Sequence, residues 1–310
     1  MERFLNKLDI KFLPWSNHIG ALSFTFDDGD VSNITTAVPI LNHYGVHATF
    51  FLVANQLSYI NLWKSAFRNG HELGNHTFSH KLLLDLSCDE LYHEIIDSHH
   101  KLSHTFETPV YSFAYPYTLA TQEAINVVKQ KHICARTGKL NNYIIKPNSL
   151  PDWYQLESAI AFSNTPFSQY KQWIDNAISK NSWLTLQFHA LEGSESGYQP
   201  IPIALFVKLL EYATKSNIWI APYNTVCAYW QAQQILQNSV QSVCYKGQEV
   251  ALLQWKIPSF FPKGIMIQIK LNDSFRFLHL SQGGKEIAHK NGIYSISFDQ
   301  SHLVIEVNNS

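Results

Sequence analysis

No apolar run in this 310-residue chain approaches the length of about 20 residues that a bilayer-spanning helix needs, so no helical membrane span is expected. The opening residues, Met1-Glu2-Arg3-Phe4-Leu5-Asn6-Lys7, have no apolar core of the kind a secretory leader carries. As written, the chain reads as cytoplasmic unless a leader was removed. Cysteine is scarce: Cys88, Cys134, Cys227 and Cys244 stand far apart with no Cys-x-x-Cys pair. That spacing indicates neither a zinc knuckle nor a disulfide scaffold, while a Cys227–Cys244 bridge stays open. Charge of neither sign is in surplus, with 23 Lys and Arg against 24 Asp and Glu. A chain with net charge −1 has no basic excess to draw it to nucleic acid or an anionic membrane surface, so a neutral partner suits it better. Low-complexity tracts are absent.

What is present is an ample core, with 45% hydrophobic residues, in a chain long enough for one large domain of about 200–250 residues plus a small one. Up to about residue 221, β-prone runs alternate with helical periods. Helices are expected over 31–45, ending near Gly70, from the Ser87-Cys88-Asp89-Glu90 capping box to about Thr105, and over 122–131, 166–180 and 202–216. Strands are expected between them, with 138–165 as loops around a single strand. Such alternation indicates parallel βα units, and their number suits a barrel, in which the strand C-termini share one face. From about Gln233 the texture changes. Gln233 to Asn238 reads as a helix end or linker, and alternating strands follow at 250–257, 265–271, 275–280, 293–298 and 303–307. The domains are therefore placed at 1–235 and 236–310, the second a small antiparallel β-sandwich.

Two stretches carry chemistry. Ala21 to Gly29, ALSFTFDDG, alternates Leu22, Phe24 and Phe26 with Ser23 and Thr25, then ends in two carboxylates and a glycine. A buried strand that delivers charge into a cleft reads this way, although Asp-Asp-Gly is also common turn chemistry. Adjacent strand residues face opposite ways, so Asp27 and Asp28 should do different work. Fifty residues on, GHELGNHTFSH places His76 and His80 four apart, a spacing that lets two imidazoles face one metal ion with a carboxylate completing the set. A zinc-protease helix is excluded, because Asn75 stands where its second histidine is required.

Together the two stretches resemble the polysaccharide deacetylases, carbohydrate esterase family 4. Thr25-Phe26-Asp27-Asp28-Gly29 matches that family's first motif and His76-Thr77-Phe78-Ser79-His80 its second; the likeness runs over roughly residues 20–230. The resemblance implies a distorted (β/α)7 barrel, consistent with the strand count. It implies a metal-dependent hydrolase that removes acetyl groups, N-acetyl foremost, from a polysaccharide or oligosaccharide. Asp28, His76 and His80 would hold a divalent ion, zinc, that activates water; Asp27 would be the base and His189, after the strand WLTLQF, the acid. The third motif survives as Pro116-Tyr117, implying that the Tyr117 backbone N–H helps hold the oxyanion, but Ala114 replaces its arginine. Arg136, ending a neighbouring strand, is the candidate to supply the missing charge beside Asp27. Asp152-Trp153 is the candidate fourth motif. Gln187 occupies the place of an apolar residue of the acyl pocket, and Trp153, Tyr115 and Tyr117 are candidates to stack on sugar rings. An amidase acting on a non-glycan acyl compound and a non-catalytic carbohydrate-binding relative are the competing readings.

Overall fold

The computed structural model describes residues 10–138, 144–145, 151–195, 197–245, 249–271 and 278–307. The chain divides into two compact units, one comprising His18–Cys227, the other Met1–Asn17 with Ala228–Ser310.

The larger unit is a ring of parallel strands: β1 (Gly20–Phe26), β2 (Thr49–Leu52), β3 (Glu72–Asn75), β4 (Ser112–Ala114), β5 (Cys134–Arg136), β6 (Ala159–Ile160) and β7 (Trp183–Phe188). Their order is β5-β4-β3-β2-β1-β7-β6, all pairs parallel. Arg136 bridges in parallel to Leu156, just ahead of β6, so the sheet curls back towards its own first edge. This is the distorted (β/α)7 barrel that the family resemblance implied, built from the parallel βα units expected from the alternation. An eighth strand, β8 (Ile218–Ile220), pairs with the first half of β1, whose second half pairs with β2. One β-strand cannot be opposite two full neighbours on one side, and this sharing is where the distortion lies. The segment expected to hold one strand holds β6 and a two-residue antiparallel strand, Ile144–Ile145, on β7.

Burial explains why β1 reads as it does. Leu22, Phe24 and Phe26 point to the helix layer, where Phe26 stacks on Phe50 and Phe188 and meets Phe206 edge-on. Each such ring contributes roughly 1.5–3 kcal/mol by leaving water. Ser23 and Thr25 point to the barrel axis, where Trp183 Nε1 donates to Ser23 and Thr25 donates to the Leu186 carbonyl. Asp27 continues that inward parity. Around β3 the capping box forms as expected, with Glu90 N donating to the Ser87 hydroxyl and Ser87 N to the Glu90 carboxylate.

The smaller unit contains two antiparallel sheets. One pairs Met266–Leu271 with Ile293–Ser297 and takes in Ile10–Phe12 from the N-terminal end; the other runs Val240–Tyr245, Glu249–Gln254, His302–Val307 and Leu278–Gln282. The apolar faces of Ile267, Ile269, Leu253, Ile296, Leu303 and Ile305 are buried, as a sandwich requires. The stretch read as a helix end or linker, Gln233 to Asn238, is largely the end of a helix over Tyr223–Gln237. Trp230 on that helix packs edge-on to Trp15. The side chain of Cys244 and residues 275–277 of the expected strand lie outside the described residues.

Candidate active site

The chemistry-bearing residues singled out in the barrel, Asp152 and Trp153 apart, lie at or past a strand C-terminus. Asp27 and Asp28 follow β1, His76 follows β3, Tyr117 follows β4, Arg136 ends β5 and His189 follows β7. They converge on a cavity of about 530 Å³ whose walls include Asp27, Asp28, His76, His80, Tyr117 and His189.

Asp28, His76 and His80 come together. Asp28 Oδ1 lies 3.4 Å from His76 Nε2 and 3.3 Å from His80 Nε2, and the three donor atoms fall within 4.8 Å of one another. Strand parity would send Asp28 away from Asp27 and out of the pocket. A backbone φ of 70° at Asp28, followed by φ 69° at Gly29, turns the chain so that both carboxylates reach one cleft. His76 is fixed by its ring Nδ1, which donates to the Ala114 carbonyl at 2.8 Å. That bond leaves Nε2 as the ring nitrogen turned towards Asp28, the arrangement in which an imidazole can bind a metal once Nε2 is deprotonated. Tetrahedral zinc with bonds near 2.0–2.1 Å holds its donors about 3.3 Å apart, so the two donor distances to Asp28 fit such an ion.

The electrostatics favour a cation in the same place. Burial would raise the Asp28 carboxyl, but the His76 hydrogen bond and the charges of His76, His189 and His80 hold it at about 2. Burial works against charging His76, yet Asp27 and Asp28 raise it above its ordinary value; His80, less favoured, is lowered by burial and by His76.

Asp27 belongs to a second network. It is 2% exposed, and Arg136 Nη2 donates to both of its oxygens, one at 2.6 Å. Gln187 Nε2 donates to Asp27 Oδ2 at 2.9 Å, and Gln187 Oε1 accepts from Ser158, which also receives a bond from Arg136 Nη1. The guanidinium lies over the Phe51 ring, 5.1 Å from its centroid. His189 Nε2 stands 4.0 Å from Asp27 Oδ2, its ring edge-on to Tyr198, and burial lowers its pKa.

The remaining candidates separate. Tyr117 takes φ 56° and is 60% exposed, its ring against His80. Tyr115 is 1% exposed and packs on Phe113, so its ring is core and not a stacking platform. Asp152 accepts from Tyr154 N and Gln155 Nε2, which makes it a turn residue. Gln187 had a signal in the sequence, a lone amide near the end of an apolar strand. Ser158 and Tyr198 had none, since only the closed ring brings them to the pocket.

A closed parallel barrel with a charged pocket at its strand C-termini is the architecture in which barrel enzymes place their active sites. The polysaccharide deacetylase family model matches residues 17–135 of this chain. The chitooligosaccharide deacetylase of Azorhizobium caulinodans is 32% identical over 113 residues, covering 36% of this chain and 54% of that protein. The peptidoglycan-N-acetylglucosamine deacetylase PgdA of Listeria monocytogenes is 34% identical over 98 residues, 31% of this chain and 21% of that protein. A gellan lyase from a Bacillus species aligns at 22% identity over 308 residues, 90% of this chain but 12% of the lyase. The chain thus spans no more than about half the length of these relatives. Among solved structures, a polysaccharide deacetylase from Mycobacterium smegmatis, described as putative, superposes with TM-score 0.57 at 13% identity, covering 72% of this chain and 96% of that one. This likeness is one of fold.

Proposed function

We propose that the protein is a metal-dependent glycan deacetylase that removes acetyl groups, N-linked ones foremost, from a polysaccharide or oligosaccharide. The observation that carries the reading is the division of labour between adjacent carboxylates: Asp28 faces two imidazoles, whereas Asp27 faces a guanidinium, an amide and a third imidazole. The names of the partial relatives point to acetylated glycans as the substrate class.

In this reading Asp28, His76 and His80 hold one divalent ion, zinc by its preference for such donors. When bound, the ion polarises the acyl carbonyl and acidifies water. Asp27 accepts the proton of the attacking water, with Arg136 and Gln187 fixing its orientation. His189, across the pocket, gives a proton to the departing nitrogen. The Tyr117 backbone N–H faces the oxygen on which negative charge develops. The exposed Tyr117 ring offers an apolar face to a sugar.

Acetate release from N-acetylated chito-oligosaccharides, with and without a chelator, tests this. Release should stop on chelation and return with Zn²⁺. Release that ignores the chelator removes the metal from the mechanism. No release from any acetylated glycan by the zinc-loaded protein removes the deacetylase reading.

A further inference from the structure

Between His76 and His80 the chain makes a tight loop that is strained at both ends. Thr77 has φ 70° and His80 φ 62°, left-handed values that side chains with a Cβ disfavour. Something outside the loop must hold it. The helix spanning Cys88–Phe106 does so from behind, and its middle turn, His93–Asp97, is wound as a π-helix. A π-turn interrupts the regular α-helical bonding, and two of its carbonyls serve the motif. The Glu94 carbonyl accepts from Phe78 N at 2.8 Å, and the Ile95 carbonyl accepts from Asn75 Nδ2 at 3.0 Å. The Glu94 side chain does more. Its Oε2 accepts from Ser79 N at 2.9 Å and its Oε1 from Ser79 Oγ at 2.5 Å.

Glu94 is 1% exposed, and among the described residues it forms no ion pair. A buried carboxyl group is costly to keep unless its oxygens are hydrogen-bonded. Both oxygens of Glu94 are spent on one residue, Ser79, adjacent to His80. The two imidazoles also differ in how they are fixed. His76 is buried and tied to Ala114. His80 is one quarter exposed, and its backbone N–H is held by the hydroxyl of Thr77 within the strained loop. The position of His80 therefore depends on the loop, and the loop depends on Glu94.

We propose that Glu94 is a positioning residue for the metal centre, acting through Ser79 to hold the His80 imidazole where it meets Asp28 and His76. This rests on the reading of those three residues as a metal site. The test is the dissociation constant of Zn²⁺, measured on the full chain by competition with a chromogenic chelator, with the melting temperature of the metal-free protein recorded alongside. Glu94→Ala should weaken Zn²⁺ by about 10- to 100-fold, the range for partners of metal ligands. Glu94→Gln should recover most of that loss, since its carbonyl can accept from Ser79 N while its NH₂ donates to Ser79 Oγ. An unchanged Zn²⁺ affinity in Glu94→Ala, with only a lower melting temperature, overturns the proposal. Should Glu94→Ala not fold, Ser79→Ala carries the test: several-fold weaker Zn²⁺ binding supports the positioning role, and an unchanged value overturns it. A parent protein that binds no Zn²⁺, or a His80→Ala variant that binds it as well as the parent, sinks the metal reading itself and is distinguishable on that ground.

Discussion

Arg136 and Asp27, separated by 109 residues in the chain, meet inside the barrel with one guanidinium nitrogen donating to both carboxylate oxygens. Both side chains are almost wholly buried, at 1% and 2% exposed. Ala114 stands where the family resemblance expects an arginine, and Ala114 is the β4 partner of Arg136 in the sheet register. The charge thus comes to Asp27 from the adjoining strand.

Removing one partner of a buried pair leaves the other uncompensated. Arg136→Ala should therefore cost about 3–5 kcal/mol, read as a lower urea midpoint. Arg136→Lys keeps the charge but not the planar fork, so it should be milder in stability while turnover still falls. Full turnover in Arg136→Ala would remove the residue from the mechanism.

The adjacent aspartates should fail differently. Asp27→Asn removes the proposed base and should lower kcat by about 10²- to 10⁴-fold while Zn²⁺ still binds. Asp28→Asn should lose Zn²⁺ first, and activity with it. Parallel titrations of metal binding and acetate release on the two variants separate the roles; equal loss of zinc in both would contradict them.

Stability should fall in acid. Burial pushes His71, His99 and His132 down to about 4, 4 and 3, so between pH 6.5 and 4 the unfolded chain takes up protons that the folded chain refuses. Glu72 acts oppositely: burial, partly offset by bonds from Asn224 N, Ser112 and Thr49, raises it to about 7. Its contribution is present below about pH 4.5 and lost as pH rises to 7. Three imidazoles outweigh one carboxyl, so the melting temperature should drop from pH 7 to pH 5. Glu72→Gln removes the opposing group and should steepen that drop; an unchanged slope would contradict the assignment.

Much of the pocket was legible because it is local. Strand parity in ALSFTF, the abrupt Asp27-Asp28-Gly29 ending and the His76/His80 spacing each lie within a few residues, where periodicity and turn chemistry are readable. Gln187 stood out as an amide in an apolar strand. Glu94, Ser158 and Tyr198 did not stand out, because a carboxylate in a helix or a hydroxyl in a loop has no local mark of what it will touch. Gln233 to Asn238 read equally as a helix end or a linker because its helix is amphipathic only in part, and the Ile10–Phe12 strand left no local sign because it joins a sheet formed some 260 residues later.

By itself the amino-acid order determined the parallel barrel, the β-rich tail and which imidazoles and carboxylates stand at strand ends, since each follows from spacing along a few residues. Only the tertiary structure decided that Arg136 rather than a residue of β4 faces Asp27, that Asp28 turns back into the pocket, and that Glu94 braces the loop between the histidines. Those relationships depend on ring closure and on left-handed backbone turns, which bring together groups whose separation in the chain carries no trace of their distance in space.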